Sequence, residues 1–220
     1  MNAPVAVDLD VVRRELTAAV LSDVLDQQGL RHQALGAGLT LLDQDTTIAG
    51  YAFGVHIQRV YDVPAEPFAG LVAALDAIGP DEVFITPTQR ATDIAVWGEL
   101  LSTVCQRRGA AGAITDGLVR DVRAVRELGF PVISGGTIPY DSLGRHEILA
   151  HRVPCLIDGV RIEPGDLVVA DSDGTVVVPR AIAAWTVQSA LQKRRGEHAF
   201  RDAVRQGMSA TEAFARFGVL

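Results

Sequence analysis

The sequence predicts an α/β fold with a substantial antiparallel element, laid out as one domain over residues 1–220. Three observations carry that expectation. Between positions 83 and 134, short apolar runs alternate with helical spacing, the mark of parallel strands joined by crossover helices. From 137 to 178 the runs are separated by Asp-Gly and Pro-Gly turns, the mark of β-hairpins. A chain of 220 residues, 48% hydrophobic and 21% charged, is large enough to build a core without disulfide staples.

Taken in order, residues 8–29 read as an amphipathic helix. Asp8 or Asp10 could cap it, Leu16, Val20, Val24 and Leu25 share a face, and Gly29 ends it. Residues 38–63 read as short β-like runs, 52–57 among them, broken by glycine and Asp-rich turns. Helical spacing returns over 67–78, and Val83-Phe84-Ile85 is a short strand. Asp93-Ile94-Ala95-Val96 reads as a strand end or a tight approach, after which Gly98 opens a helix over 99–108 closed by Gly109. Strand 112–116, helix 121–128 and strand 131–134 follow. Turn signals at Gly144, Asp158-Gly159, Pro164-Gly165 and Asp173-Gly174 then separate runs at 155–157, 167–169 and 175–178. Residues 180–206 form a long helix, and the helical tail extends to 217.

Composition narrows the function. Aromatics are 5% of the chain, so the core is built from Val, Leu, Ile and Ala. A formal net charge of −7 argues against a general nucleic-acid binder, which would carry a basic face. It leaves small anionic substrates open, because a few local arginines can outweigh a distant negative surface. Cys105 and Cys155 fit no metal or redox spacing and read as buried, reduced thiols. The first residues lack a charged flank followed by an apolar run, and no uninterrupted apolar stretch approaches ~18 residues. A soluble cytoplasmic protein is the expectation, with neither secretion signal nor membrane span.

Chemistry concentrates at two places. Gly98-Glu99-Leu100-Leu101 begins a helix, where backbone N–H groups without intrahelical partners, together with the macrodipole, favour a carboxylate or a developing enolate. Gly98 could equally do no more than turn the chain, with Glu99 a favourable first-turn acid. The second place is Asp116-Gly117-Leu118-Val119-Arg120-Asp121, read as a turn between a strand and a helix at the carboxyl edge of a sheet, where α/β folds bind ligands. Adjacent Arg120 and Asp121 leave a helix start in different directions and are poorly placed to pair. They can instead serve a substrate carboxylate and a metal, or belong to a surface ion-pair network. The loop Tyr140-Asp141-Ser142-Leu143-Gly144-Arg145-His146 could line a pocket. The histidines show no ligand spacing, Ser134-Gly135-Gly136-Thr137 lacks the ending of a phosphate-binding loop, and no Gly-x-Ser-x-Gly elbow occurs.

The segment 109–121, with Gly129-Phe130-Pro131-Val132, Gly136-Thr137-Ile138-Pro139, 159–166, 171–179 and Phe217-Gly218-Val219, closely resembles the 4-hydroxy-4-methyl-2-oxoglutarate aldolase family. That family includes the regulators of ribonuclease activity A and is often labelled demethylmenaquinone methyltransferase-like. The resemblance implies a swivelling-domain-like β/β/α sandwich around a central mixed sheet, assembled as a homotrimer or homohexamer with sites between subunits. It also implies a Mg²⁺- or Mn²⁺-dependent lyase of the class II pyruvate-aldolase kind, with oxaloacetate decarboxylase activity. By position, Asp121 resembles the metal ligand and Arg120 the clamp on the pyruvyl carboxylate. Glu99 resembles an acid that holds the metal's waters, and the amides of Gly98, Glu99, Leu100 and Leu101 the pyruvyl pocket. Glu197 matches a glutamate that reaches a neighbouring subunit's site. Better-known aldolases have aspartate where this chain has Glu99, one methylene longer.

On that reading a metal-bound water carries protons, since no histidine or lysine sits in these motifs. The lone lysine, Lys193, disfavours Schiff-base chemistry. Two other readings stand beside it: a non-catalytic regulator that binds an RNA-degrading enzyme, and a lyase of the same mechanism on a different hydroxy-oxo acid. The regulators of this kind lack the aspartate after the arginine.

Overall fold

The computed structural model describes residues 7–43 and 45–219; positions 1–6, 44 and 220 of the predicted domain lie outside the described residues. Where the sequence predicts one helix over 8–29, there are two, α1 (Leu9–Glu15) and α2 (Ala18–Gln27). The break has a local and a distant cause. Thr17 caps α2, its hydroxyl accepting from the Val20 amide at 3.3 Å, while the Ala18 amide donates to Asp171 Oδ2 at 2.9 Å. Both satisfy donors that a helix start leaves free. Asp8 caps α1, accepting from the amides of Asp10 and Val11.

After β1 (Thr40–Leu41) comes β2 (Ile48–Arg59), one long strand where a series of short runs is predicted over 38–63. Its glycines are places of close approach rather than turns. A Cβ on Gly54 would lie 2.4 Å from the Val153 carbonyl oxygen, and one on Gly50 2.5 Å from that of Asp81. Next come α3 (Ala69–Ala77), β3 (Glu82–Thr86), β4 (Ala95–Trp97), α4 (Glu99–Arg107), β5 (Gly112–Thr115), β6 (Leu118–Val119), α5 (Val122–Leu128), β7 (Val132–Ser134) and β8 (Gly136–Thr137). The chain continues through β9 (His146–His151), β10 (Cys155–Ile157), β11 (Val160–Ile162), β12 (Leu167–Asp171), β13 (Gly174–Val178), α6 (Ala183–Arg205) and α7 (Ala210–Phe217).

The main sheet is mixed and runs β1-β7-β5-β3-β2-β12-β13, with β9 on the far part of β2. Pairings β2·β3, β3·β5 and β5·β7 are parallel, the last two as the crossover pattern from 83 to 134 predicts; β2·β12 and β12·β13 are antiparallel, the latter as the Asp-Gly hairpin predicts. Alternation along the strands sorts side chains to two faces. Val83, Ile85, Ile114, Ile133, Val168 and Val177 point inward, where the β10–β11 hairpin covers them with Ile157, Val160 and Ile162. Outward, Leu167, Val169, Val176 and Val178 meet the N-terminal helices and α6. On the parallel half, Phe53, Phe84, Ala113 and Val132 meet the elements that carry Ala74, Cys105 and Val125. The layering is therefore hairpin, sheet, helix: the β/β/α arrangement with a central mixed sheet.

The structure adds something unpredicted inside the crossovers. Strands β4, β6 and β8 pair parallel to one another as a small separate sheet. The run 116–121 is thus not one turn, because Leu118 and Val119 form β6.

Cys105 and Cys155 are buried, and burial pushes both thiols up to about 12. Since the thiolate is the reactive form, neither is expected to react with a water-soluble disulfide reagent at pH 8 until the chain is unfolded. Titration of thiols with and without denaturant checks this; rapid native labelling would contradict the packing. No helix among the described residues is long and apolar enough to cross a membrane.

Candidate functional site

The small sheet brings together the two segments singled out in the sequence. Trp97 pairs with Val119, and the Arg120 amide donates to the Trp97 carbonyl at 2.9 Å. β4 and β6 therefore end side by side, and each leads directly into a helix, α4 behind Gly98 and α5 behind Asp121. Trp97 is fixed from beneath: its indole N–H donates to Ser102 Oγ at 2.8 Å, and Ser102 donates to the Gly98 carbonyl at 3.0 Å.

Gly98 lets the segments touch. Its backbone is extended, which any residue could adopt, but a Cβ would stand 2.8 Å from Asp121 Oδ2 and 3.2 Å from Arg120 Cγ. The glycine thus leaves the room that the Asp121 carboxylate and the Arg120 side chain occupy. Gly98→Ala is expected to displace the Asp121 carboxylate and reduce turnover about 10²-fold, the scale of a 1 Å misplacement. Steady-state kinetics together with a thermal melt separates this from unfolding; wild-type kinetics would contradict it.

Asp121 sits in the left-handed region at φ 57°, one of the conformations that aspartate tolerates better than most residues. That backbone turns its carboxylate away from its own helix, which it does not cap, and toward α4. Oδ2 accepts from the Glu99 amide at 3.4 Å and lies 3.7 Å from Arg120 Nε. The expectation that Arg120 and Asp121 diverge is corrected here: the left-handed turn folds the carboxylate back over the guanidinium. Arg120 Nη1 is also 3.5 Å from Asp141 Oδ1. Both separations exceed a tight hydrogen bond, so the guanidinium is steered by two carboxylates while its donors remain free for an anion.

These groups border a cavity of about 50 Å³, with Trp97, Gly98, Leu101, Asp141 and Ser142 among its walls. Leu100 lines it too but is 71% exposed, holding the mouth rather than the floor. Glu99, predicted at the site, is not among the cavity walls: its Oε1 accepts from the Thr103 hydroxyl at 2.8 Å, which holds the acid along the first turn of α4. Asp141 and Ser142 come from the loop that the sequence offered as a possible pocket lining, with no role given to either residue. The position of that loop opposite Arg120 depends on tertiary structure.

Two predicted features lie elsewhere. Asp116 is buried beneath the site, accepting from the Thr88 amide, the Thr88 hydroxyl at 2.9 Å and the Arg90 amide at 3.2 Å. It ties down the loop after β3, in keeping with a shaping role. Glu197 is on α6, 3.8 Å from Lys193 Nζ, and does not line this cavity within one chain. Lys193 is held by Asp23 at 2.8 Å, far from any role in the cavity.

The donor set tests the metal expectation. Among the described residues no three His, Cys, Asp or Glu side chains converge as a metal cage. A zinc-type site of protein ligands does not fit. A hard cation that keeps most of its waters and takes one carboxylate plus substrate oxygens does fit, and Asp121 offers a carboxylate of that kind. It is 48% exposed at the cavity rim and held by one amide, with lone pairs to spare.

The RraA-like family, described as Aldolase/RraA, matches residues 18–177. DlpA of Legionella pneumophila is 27% identical over 197 residues, covering 89% of this chain but 31% of its own, so the chain spans under a third of that relative. A Halalkalibacterium halodurans protein bearing the name "Putative 4-hydroxy-4-methyl-2-oxoglutarate aldolase" is 28% identical over 201 residues, 91% of this chain and 90% of its own. Streptomyces coelicolor RraAS2, described as an unusual member of the RNase ES inhibitor RraA protein family, has a crystal structure that superposes with a TM-score of 0.79. The two are 31% identical, over 91% of this chain and 98% of that one.

Proposed function

This chain belongs to the Aldolase/RraA family, and on that footing we propose that it is a divalent-metal-dependent carbon–carbon lyase. It cleaves a 4-hydroxy-2-oxo acid to pyruvate and a second carbonyl compound, and decarboxylates oxaloacetate as a companion activity. The observation that carries the reading is the convergence, across Gly98, of the Arg120 guanidinium, the Asp121 carboxylate and the N-terminal amides of α4 on one cavity.

Arg120 binds the substrate carboxylate through its planar fork. The amides at Gly98, Leu100 and Leu101, without intrahelical partners, face the oxygen on which negative charge develops, while that of Glu99 holds the Asp121 carboxylate. A Mg²⁺ or Mn²⁺ ion held by Asp121 would supply Lewis-acid polarisation of the 2-oxo group. In the cleavage, the C4 hydroxyl loses its proton, C4 becomes a carbonyl, and the C3–C4 electron pair passes into the enolate of pyruvate. Protonation of C3 then completes pyruvate. Glu99, oriented by Thr103, holds the water that accepts the first proton and returns the second. In oxaloacetate the bond broken frees carbon dioxide instead, and the same enolate follows. Glu197 reaches a neighbouring copy's site in a trimer or hexamer, which accounts for its absence from the cavity of its own chain.

The test is pyruvate release from oxaloacetate, coupled to lactate dehydrogenase, with and without EDTA. Release that EDTA stops and Mg²⁺ or Mn²⁺ restores is the expected result. A second reading, a non-catalytic protein that binds an RNA-degrading enzyme, is favoured by the description of the S. coelicolor relative. Metal-independent silence of the purified protein, with inhibition of a ribonuclease on mixing, would establish it instead.

A further inference from the structure

The charged side chains that border the cavity do not balance. Arg120 is the one cation among the described residues that line it, set against the carboxylates of Asp121 and Asp141. The two carboxylates take different edges of the guanidinium: Asp121 Oδ2 lies 3.7 Å from Nε, and Asp141 Oδ1 lies 3.5 Å from Nη1. The wall that receives an anion therefore carries a net negative charge before any ligand arrives. Just outside it, the acid of Glu99 and the free amides of α4 act in opposite directions.

Asp141 is not a loose surface acid that can drift away. Its Oδ1 accepts from the Ser142 amide at 2.7 Å, and its carbonyl accepts from Arg145 Nη1 at 2.7 Å. The Arg145 guanidinium lies over the Tyr140 ring, 5.3 Å from the centroid, and does not line the cavity. The amides of Arg145 and His146 donate to the Ser142 carbonyl at 2.9 and 3.1 Å, which ties the loop to the first residue of β9. The loop thus fixes a carboxylate beside Arg120, at a spacing too long for a tight hydrogen bond and short enough to offset its charge.

Resting on the lyase reading above, we propose that Asp141 is a positioning residue that sets the order of binding: divalent cation first, anionic substrate second. A 2-oxo acid that approaches Arg120 in the metal-free protein meets two carboxylates as well, and like charges repel. A divalent ion on Asp121 turns the wall from one net negative charge to one net positive, and it relieves Arg120 of one of its two neighbours. Asp141 decides the matter, because with Asp121 alone the metal-free wall would be neutral and an anion could enter. A dianion such as oxaloacetate meets the repulsion more strongly than pyruvate does. The result is that substrate does not occupy the cavity before the ion that stabilises its enolate.

The experiment reads binding rather than turnover, in low-salt buffer where exposed charges are least screened. Saturation-transfer NMR on the methyl signal of pyruvate compares EDTA-stripped, dialysed protein with the Mg²⁺-loaded form, and water-proton relaxation follows Mn²⁺ binding without pyruvate. The wild type is expected to bind pyruvate at least ~10-fold more tightly with Mg²⁺ than without, within the usual range of coupling between two ligands. Asp141→Asn and Asp141→Ala are expected to tighten metal-free pyruvate binding ~3- to 5-fold, the upper part of what one exposed charge supplies. The same variants should weaken Mn²⁺ binding by a similar factor, since the carboxylate that repels the anion attracts the cation. Opposite signs for the two ligands separate a charge effect from a loosened loop, which would weaken both. The gain in pyruvate binding should vanish in an Arg120→Ala background, where nothing brings a carboxylate to that place. Metal-free wild-type binding as tight as the Mg²⁺-loaded form, or variants in which pyruvate binds no better than in the wild type, overturns the order of binding alone. Absence of pyruvate binding to the Mg²⁺-loaded wild type overturns the lyase reading and this inference with it.

Discussion

Asp121→Ala is expected to abolish EDTA-sensitive pyruvate release, by at least ~10³-fold. That corresponds to the several kcal/mol of charge stabilisation that a Lewis-acid cation contributes to an enolate-forming step. The size follows from the donor set: no cage of three metal-binding side chains exists among the described residues, and the nearest other carboxylate in the cavity wall, Asp141, is paired with Arg120. Alanine also fits poorly at φ 57°, where a non-glycine backbone costs ~1–2 kcal/mol and asparagine or aspartate is better tolerated. Asp121→Asn resolves the two effects. It keeps a left-handed-tolerant residue of the same shape and loses only the charge, so it should retain the wild-type melting temperature and still be inactive. Near-wild-type turnover by either variant with metal present would sink the assignment of Asp121.

Arg120→Ala is expected to reduce kcat/KM at least ~100-fold, the scale on which a single transition-state donor acts. The backbone of this residue is held independently of its side chain by the bond from its amide to Trp97, so the strand end should persist in the variant. The loss would then be chemical rather than structural. Its removal also leaves Asp121 and Asp141 facing one another without the cation that lies 3.7 and 3.5 Å from them. Arg120→Lys keeps a charge but not the planar fork, and should fall between the two, about 10-fold down. An unchanged kcat/KM in the alanine variant would remove Arg120 from the site.

The parts of this arrangement that could be read from the sequence are those whose causes are local. Helical and strand spacing from Val83 to Ser134 fixed the parallel crossovers, and Asp-Gly pairs placed both C-terminal hairpins. Gly98, Arg120 and Asp121 were visible as residue types at helix starts, and the family resemblance joined them. What was missed has distant causes. β6 and β8 are two residues each, too short for any period to show, and exist because β4 lies between the main sheet's crossovers. The sign of φ at Asp121 is not written in its identity, so the folding back of its carboxylate could not be anticipated. Asp141 and Ser142 reach the site from the loop offered as a possible pocket lining, but its place opposite Arg120 is set by β9 pairing with the far part of β2.

The break between the first two helices has a consequence for synthesis. The amide that opens α2 is satisfied by Asp171, a residue 153 positions later, and the apolar face of that helix packs on Leu167, Val169, Val176 and Val178. While the ribosome is still making the middle of the chain, these partners do not exist. The N-terminal pair must wait, its hydrophobic face uncovered, until the last hairpin emerges. The crossovers around Gly98 and Arg120 are built from nearer neighbours and can form sooner, since shorter loops close at lower entropic cost. These helices, translated before their partners, are thereby among the last elements of this fold to become native, and they form the stretch on which holding chaperones would act during translation.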